Sequence, residues 1–241
     1  METSVEQVNI SPFLDGVRRG IPIAIGYCPI ALTFGLLAKT TGLTFTETIL
    51  MSLIVFAGAA QYISLNLIAL GTGAMEIIIT TFIVNIRHFL MSTVINEKAE
   101  EDRMINKLVY AFGITDETFS VAATKEGRLT TGFIVGVNLI GYLSWSINSG
   151  LGFMIGAALP QVLQESMAIA LYAMFIGLLV PSLKQSWKVA FLAGLSASLN
   201  SVFVLTNTLS TGWSIVTATL LSSVITELVV KVKGKGEGAN E

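Results

Sequence analysis

The sequence sets polar side chains into stretches that are otherwise apolar, and two of these clusters have the types and spacing of chemistry. In EIIITTFIVNIRHFLMSTVI, Thr81, Asn85, His88 and Ser92 fall at i, i+4, i+7 and i+11, which puts all four on one face of one helix and leaves the other face apolar. His88 is the only histidine in the chain, and an imidazole titrates in the physiological range. Arg87 lies off that face, where it would snorkel or pair with an acid inside a bundle. In LVYAFGITDETFSVAA, Gly113 breaks the apolar pattern and Thr115, Asp116, Glu117 and Thr118 follow it. Thr or Asp ahead of a new apolar run is an N-cap signal, and two acids in a first turn complement the helix dipole. The segment therefore reads as two half-helices that meet near mid-membrane, as the discontinuous helices of secondary transporters do. The same residues could instead form an interfacial helix with solvated acids, and the Asn85/His88 stripe could only glue helices together. An unpaired polar group in hydrocarbon costs on the order of a few kcal/mol, so these side chains are expected to face the bundle interior or a wet cavity.

Other polar groups repeat the theme. FAGAAQYISLN brings Gln61 near Ser64 and sets Tyr62 one turn before Asn66. Asn138, Tyr142, Trp145 and Ser149 again follow i, i+4, i+7 and i+11, a spacing that suits a partly apolar pocket and equally suits packing. Pro29, with Thr33 and Gly35 after it, bends the first apolar stretch, either opening a cavity or merely kinking a packed helix. Asn200 and Ser201 sit inside a later run, and Glu227 and Lys231 are spaced as an i,i+4 surface pair. No enzyme emerges. Ser196 in GLSAS would need His88 from a distant helix, one histidine and one cysteine make a catalytic metal site unexpected, and there is no phosphate loop. Cys28, the sole cysteine, can form no internal disulfide.

The elements that hold these groups must lie in lipid. Of 241 residues, 53% are hydrophobic and 12% charged, and the mean hydropathy is +0.74. Soluble domains carry about 25% charged residues, so a chain this apolar could not cover a water-facing surface. Nor is there a basic patch with interleaved aromatics to suggest nucleic acid. Apolar stretches run at roughly 21–38, 46–70, 75–95, 108–124, 130–148, 165–183, 187–206 and 212–230. The expected fold is an all-α polytopic transmembrane bundle of about eight spans with discontinuous helices. Residues 1–20 form an interfacial N-terminal segment in which Ser11 caps a helix starting at Pro12. Residues 21–230 form one membrane domain, and 231–241 a flexible tail. The stretch 149–164 reads as a re-entrant segment or a tight hairpin. Arg18 and Arg19, Lys125 and Arg128, Lys184 and Lys188, and Lys231, Lys233 and Lys235 fall on one side, which the positive-inside rule makes cytoplasmic, with both termini there. The loop NEKAEEDRMINK at 96–107 then falls outside despite three basic residues; if 108–124 dips in and returns, it moves inside. Gly132 and Gly136, Gly152 and Gly156, and the stripe Ala190, Gly194 and Ser198 have the spacing of close helix packing.

The sequence resembles the large subunit of AzlC-type branched-chain amino-acid exporters. The resemblance lies in GVRRGIPIAIGYCPIALTFGLLA, FAGAAQY, NIRHFLMS, GITDETFS, GLGFMIGAALP and AMFIGLLVP, in that order from Gly16 to the last span. NIRH and TDE are its specific parts, and QVLQESMA at 161–168 departs from the Leu-Asp-Phe-like run of the family. The resemblance implies export of branched-chain amino acids from a bacterial cytoplasm. It also implies a small AzlD-type membrane subunit as partner. Gln61, Asn85, Arg87, His88, Asp116 and Glu117 are carried over as motif residues.

The resulting expectation is a secondary transporter of small neutral amino acids, proton-coupled and without a cofactor. Gln61, Asn85, Arg87, Asn138 and Trp145 would bind substrate. Asp116, Glu117 and His88 would serve proton coupling, or an acid would take the ammonium group. The alternatives are a passive channel and a non-transporting membrane scaffold.

Overall fold

The structure, a computed structural model, describes residues 11–237. The helices are α1 (Pro12–Thr40), α2 (Phe45–Ile54), α3 (Gly58–Ala69), α4 (Ala74–Lys98) and α5 (Met104–Phe112). They continue with α6 (Asp116–Thr124), α7 (Thr131–Ile155), α8 (Gln161–Gln185), α9 (Trp187–Leu205) and α10 (Thr211–Glu237). Among the described residues the only β pairing is an isolated bridge between Ala99 and Leu129, so the all-α expectation holds. Among the described residues, four helices are long and apolar enough to cross a membrane: α1, α4, α9 and the Thr211–Lys231 part of α10. The chain divides into two compact units, one of Met1–Tyr62 with Asn85–Ala168 and one of Ile63–Val84 with Ile169–Glu241.

The first unit is built on α1 and α7. Ser11 caps α1 as its position suggested, accepting the Leu14 N–H at 3.4 Å, with Pro12 at the first turn. Helix α1 has 29 residues, about 43 Å at 1.5 Å per residue, so it takes in the 12–20 segment expected to lie outside the spans; residues 1–10 lie outside the described residues. Helices α1 and α7 run parallel and touch backbone to backbone. A Cβ on Gly136 would stand 2.3 Å from the Phe13 carbonyl oxygen, and one on Gly152 would stand 2.0 Å from that of Leu32. The glycine spacing in α7 is thus packing, with α1 as the partner. Because α7 continues to Ile155 and ends in a 3-10 turn at Gly156–Ala158, the 149–164 stretch is neither re-entrant nor a hairpin.

Two apolar stretches that length alone reads as spans fold back instead. Helix α2 starts beside the Ile155 end of α7, where Phe45 stacks on Phe153 at 5.7 Å. It descends to Phe56, whose ring meets Tyr142 at 5.1 Å and Tyr27 at 6.4 Å. Phe56 has φ +37°, in the left-handed region that a bulky residue rarely adopts, and the chain reverses there. Helix α3 then climbs back: Gln61 Nε2 donates to Ser52 Oγ at 3.2 Å, although residues nine apart in a straight helix are about 13 Å apart.

Helices α5 and α6 make the matching excursion from the other end of α7. Asp102 accepts a hydrogen bond from Thr131 ahead of α5, and Lys125 after α6 reaches Asp15 of α1 at 3.1 Å. Lys98 donates to the carbonyls of Ala123, at 2.7 Å, and Lys125, so a cation closes the C-terminal end of α6. The 46–70 and 108–124 stretches are therefore each broken into two helices too short to span a bilayer, so the expectation of about eight spans is loose against the four candidate spans among the described residues. The 96–107 loop lies at the Pro12 end of α1, which removes the charge discrepancy noted from sequence.

In the second unit α9 and α10 lie antiparallel, with Lys188 Nζ 2.8 Å from Glu227. Glu227 thus makes its direct contact with Lys188, while Lys231, one turn on, is a weaker electrostatic neighbour. Glu76 of α4 caps α10, accepting from the Ser210 hydroxyl at 2.5 Å and the Trp213 N–H at 3.1 Å. Gly194 has open space beside it, so the α9 stripe makes no close contact there. Helix α10 continues to Glu237, past the expected start of the tail at 231, and residues 238–241 lie outside the described residues.

Candidate functional site

Both hairpins end beside Tyr27, about midway along α1. Tyr27 is 4% exposed, and its ring lies edge-on to Trp145 at 5.4 Å as well as to Phe56. From the α5–α6 side its hydroxyl donates to Glu117 Oε2 at 2.5 Å and lies 2.7 Å from Thr115 Oγ1. One buried tyrosine therefore touches both hairpin tips.

The α6 tip has a local cause. Thr115 is the N-cap residue, as the sequence indicated, and it forms a capping box with Thr118: the Thr118 N–H donates to Thr115 Oγ1 at 3.3 Å, and the Thr115 N–H to Thr118 Oγ1 at 2.8 Å. Asp116 and Glu117 then occupy the first turn, where the N-terminal dipole favours negative charge. Asn138 of α7 supports the other half of the hairpin. Its Nδ2 donates to the Tyr110 carbonyl at 2.8 Å at the end of α5. Its side chain also packs on Gly113, where a Cβ would come within 2.6 Å. Gly113 is thus needed for close approach at the bend.

Helix α4 supplies the cation. Arg87 Nη1 lies 2.8 Å from Asp116 Oδ2, with the two side chains 36% and 22% exposed. Arg87 therefore turns to the tip and takes the acid, the second of the two orientations open to it from sequence. His88 hydrogen-bonds the backbone of Ile114, immediately before the cap, while its Nε2 is buried without a partner. Asn85 Oδ1 and Arg87 Nε are buried and unpartnered as well. Thr81 donates to the Ile77 carbonyl of its own helix at 2.7 Å.

The remaining expected residues sit on the α2–α3 side. Gln61 is fully buried, its Nε2 on Ser52 and its Oε1 unpartnered, and Ser52 continues the chain to Ser149 at 2.9 Å. Trp145 is 2% exposed and lies against Gly58 of α3, which covers it; its Nε1 has no partner. The structure thus gathers Arg87, His88, Asp116, Glu117 and Asn138 at one tip and Gln61 and Trp145 at the other. Sequence reasoning missed Tyr27, which joins the tips. Its signal was a lone tyrosine in an apolar run, two residues ahead of Pro29. Among the described residues no group of three or more His, Cys, Asp or Glu could hold a metal.

Helices long and apolar enough to cross a membrane, with a polar tip in the first unit where two broken helices meet Tyr27, mark a polytopic membrane protein. The chain belongs to the AzlC protein family, whose pattern matches residues 22–159 and so takes in both hairpins and all of α7. A membrane protein of Archaeoglobus fulgidus is 31% identical over 83% of this chain and 88% of its own length. The inner membrane protein YgaZ of Escherichia coli is 27% identical over 79% of this chain and 81% of its own. The branched-chain amino acid transport protein AzlC of Bacillus subtilis is 25% identical over 76% and 73%. No solved structure matches the chain.

Proposed function

We propose that this chain is the large subunit of a secondary transporter that exports branched-chain amino acids across a bacterial inner membrane. In this reading it works with a small AzlD-type partner subunit, and export is driven by protons. The observation that carries the reading is the Arg87–Asp116 ion pair at a helix break inside apolar helices. A buried or half-buried ion pair is weak support for a fold, because desolvation offsets most of the Coulomb gain. It suits a zwitterion, whose carboxylate can take Arg87 while its ammonium takes Asp116. Two ionic contacts replace one, and the net charge of the site does not change. Arg is the fitting cation, since its planar fork matches a carboxylate in two hydrogen bonds. Asn85 lies on α4 two residues from Arg87, and its unpartnered Oδ1 is a further acceptor for ammonium. Gln61 Oε1 and Trp145 Nε1 would become available where α3 moves off Trp145. The name carried by the Bacillus subtilis relative supports branched-chain substrates, and the inner-membrane name of YgaZ supports the location.

The test is efflux of labelled leucine and valine from loaded cells, with and without this chain and its partner subunit. Active export lowers internal leucine below the external level while a proton gradient stands. A passive channel brings the two levels together and no further. A scaffold leaves efflux unchanged, and either of the last two results defeats the proposal.

A further inference from the structure

Asp116 and Glu117 are neighbours in one helical turn, yet they are held in different ways. Asp116 faces a permanent cation, Arg87. Glu117 is held by a hydroxyl, that of Tyr27, and this hydroxyl begins a chain. Beyond Tyr27 lies Thr115 Oγ1 at 2.7 Å, then Thr118 Oγ1 at 3.4 Å, and Thr118 donates to the Gly113 carbonyl at 3.2 Å.

Such a chain satisfies both protonation states of the acid. With Glu117 ionised, Thr115 donates to Tyr27, Tyr27 donates to Glu117, and Thr118 donates to Gly113. With Glu117 protonated, the Tyr27 and Thr115 hydroxyls turn over. Glu117 donates to Tyr27, Tyr27 to Thr115, Thr115 to Thr118, and Thr118 still to the Gly113 carbonyl. Each hydroxyl oxygen has two lone pairs, so Thr115 also keeps the Thr118 N–H and Thr118 keeps the Thr115 N–H. No buried donor loses its acceptor in either state, whereas leaving one unmade is what normally makes such a change costly. One proton enters at Glu117 from water and leaves to water, and no other bond changes. The Asp116 carboxylate has no such chain; a proton there would break its ion pair.

We propose that Glu117 is the acid that takes up and releases the coupled proton, that Tyr27 is its positioning residue, and that Asp116 with Arg87 is reserved for the substrate zwitterion. The charged and titratable groups around Glu117 are Tyr27 from α1, Arg87 and His88 from α4 and Asp116 on its own helix. From α7, Asn138 packs on Gly113, and Gly141 on Thr118 and the Tyr27 ring; both are neutral.

The assignment rests on the transport reading only for its efflux measurements, so an infrared titration is made first. The purified chain in lipid is titrated while the carbonyl stretch of protonated carboxyl groups is followed. A titrating band that Glu117→Gln removes and Asp116→Asn retains supports the assignment. A band that Asp116→Asn removes instead, or one indifferent to both, overturns it. Tyr27→Phe keeps the ring contacts and deletes the hydroxyl. The acid loses the hydroxyl that serves both of its protonation states, so the pH at which the band grows in should differ from that of the unaltered chain. An unmoved band in a folded Tyr27→Phe chain rules out the positioning role. If that variant does not fold, the Thr115→Val and Thr115→Ser pair decides the same point, the serine restoring the unaltered titration and the valine shifting it. In efflux, Glu117→Gln should still exchange labelled for unlabelled leucine but lose its response to a pH gradient, while Asp116→Asn loses both. A gradient response retained by Glu117→Gln overturns the proposal. Absence of leucine transport in the unaltered chain defeats the transport reading and leaves the infrared result standing.

Discussion

Replacing Gly35 by alanine should force α1 and α7 apart. Gly35 faces the α7 backbone, and a Cβ there would stand 2.0 Å from the Ser149 carbonyl oxygen and 2.6 Å from the Phe153 nitrogen. Ordinary contact begins near 3.4 Å, so the two backbones must part by more than about 1 Å. Neither atom can swing aside as a side-chain tip would. Overpacking costs about 1–3 kcal/mol, and a clash with backbone belongs at the upper end. Parting the helices also loosens their other contacts, since a gap of 0.5–1 Å gives up about a quarter to a half of each dispersion well. Against this stands the better helix propensity of alanine, about 1 kcal/mol. The expected net loss is about 2 kcal/mol. Gly26, on the same helix, has nothing within 4 Å and is the control. Gly26→Ala should be neutral or gain up to about 1 kcal/mol. Denaturant titration of both variants in detergent, followed by tryptophan fluorescence, measures the difference. Equal stability of the two would refute the reasoning that α1 and α7 meet through their backbones.

Cysteine probes at Glu101 and at Glu126, in a chain with Cys28 replaced by serine, should react from the same side of the membrane; labelling from opposite sides would mean that 108–124 crosses. Asp116→Asn should leave the Arg87 charge uncompensated and cost on the order of 1 kcal/mol, discounted because both side chains are partly exposed, and Arg87→Gln in the same chain should return that stability in the denaturant titration without returning transport. The hydrogen bonds from the Thr131 hydroxyl, the Arg103 N–H and the Asn106 amide hold the Asp102 carboxyl below the usual aspartate range. A lowered value means that the ionised form is the one the fold favours. Its contribution is therefore complete above about pH 4 and is lost as pH falls through the depressed value. Amide exchange at Arg103, corrected for intrinsic rate, should speed up in that acid window, and Asp102→Asn should remove the pH dependence.

The sequence made the polar centre legible and left its geometry obscure for identifiable reasons. Periodicity found Asn85 and His88 on one helix face, and cap chemistry found the break at Gly113–Thr115, because both signals are local. Periodicity put Arg87 off that face and left both snorkelling and pairing open, because a long side chain is not confined to its helical face; the structure has it on Asp116. The 46–70 stretch reads as one span because its reversal falls at Phe56, a residue type that carries no turn signal. That reversal is held by distant contacts with Tyr27 and Tyr142. The 96–107 loop did carry a warning, since its basic residues disagreed with the side to which eight crossings assigned it. Glycine spacing found the packing face of α7 but could not name α1 as its partner.

The parallel union of α1 and α7 also sets an order of events. Residues 35 and 149 are far apart in sequence, so nothing can lock α1 until the ribosome has delivered Thr131–Ile155. Until then Ser52 lacks Ser149, the Tyr110 carbonyl lacks the Asn138 amide, and the Ala24 carbonyl lacks the Ser144 hydroxyl. Neither hairpin is long enough to settle across a bilayer alone. The nascent chain must therefore hold two unfinished hairpins in waiting, and α7, made after both, completes them together. Contacts of such long range form slowly, and a chain cut before residue 131 is left with unpaired polar groups in its apolar segments, a ready substrate for membrane quality control.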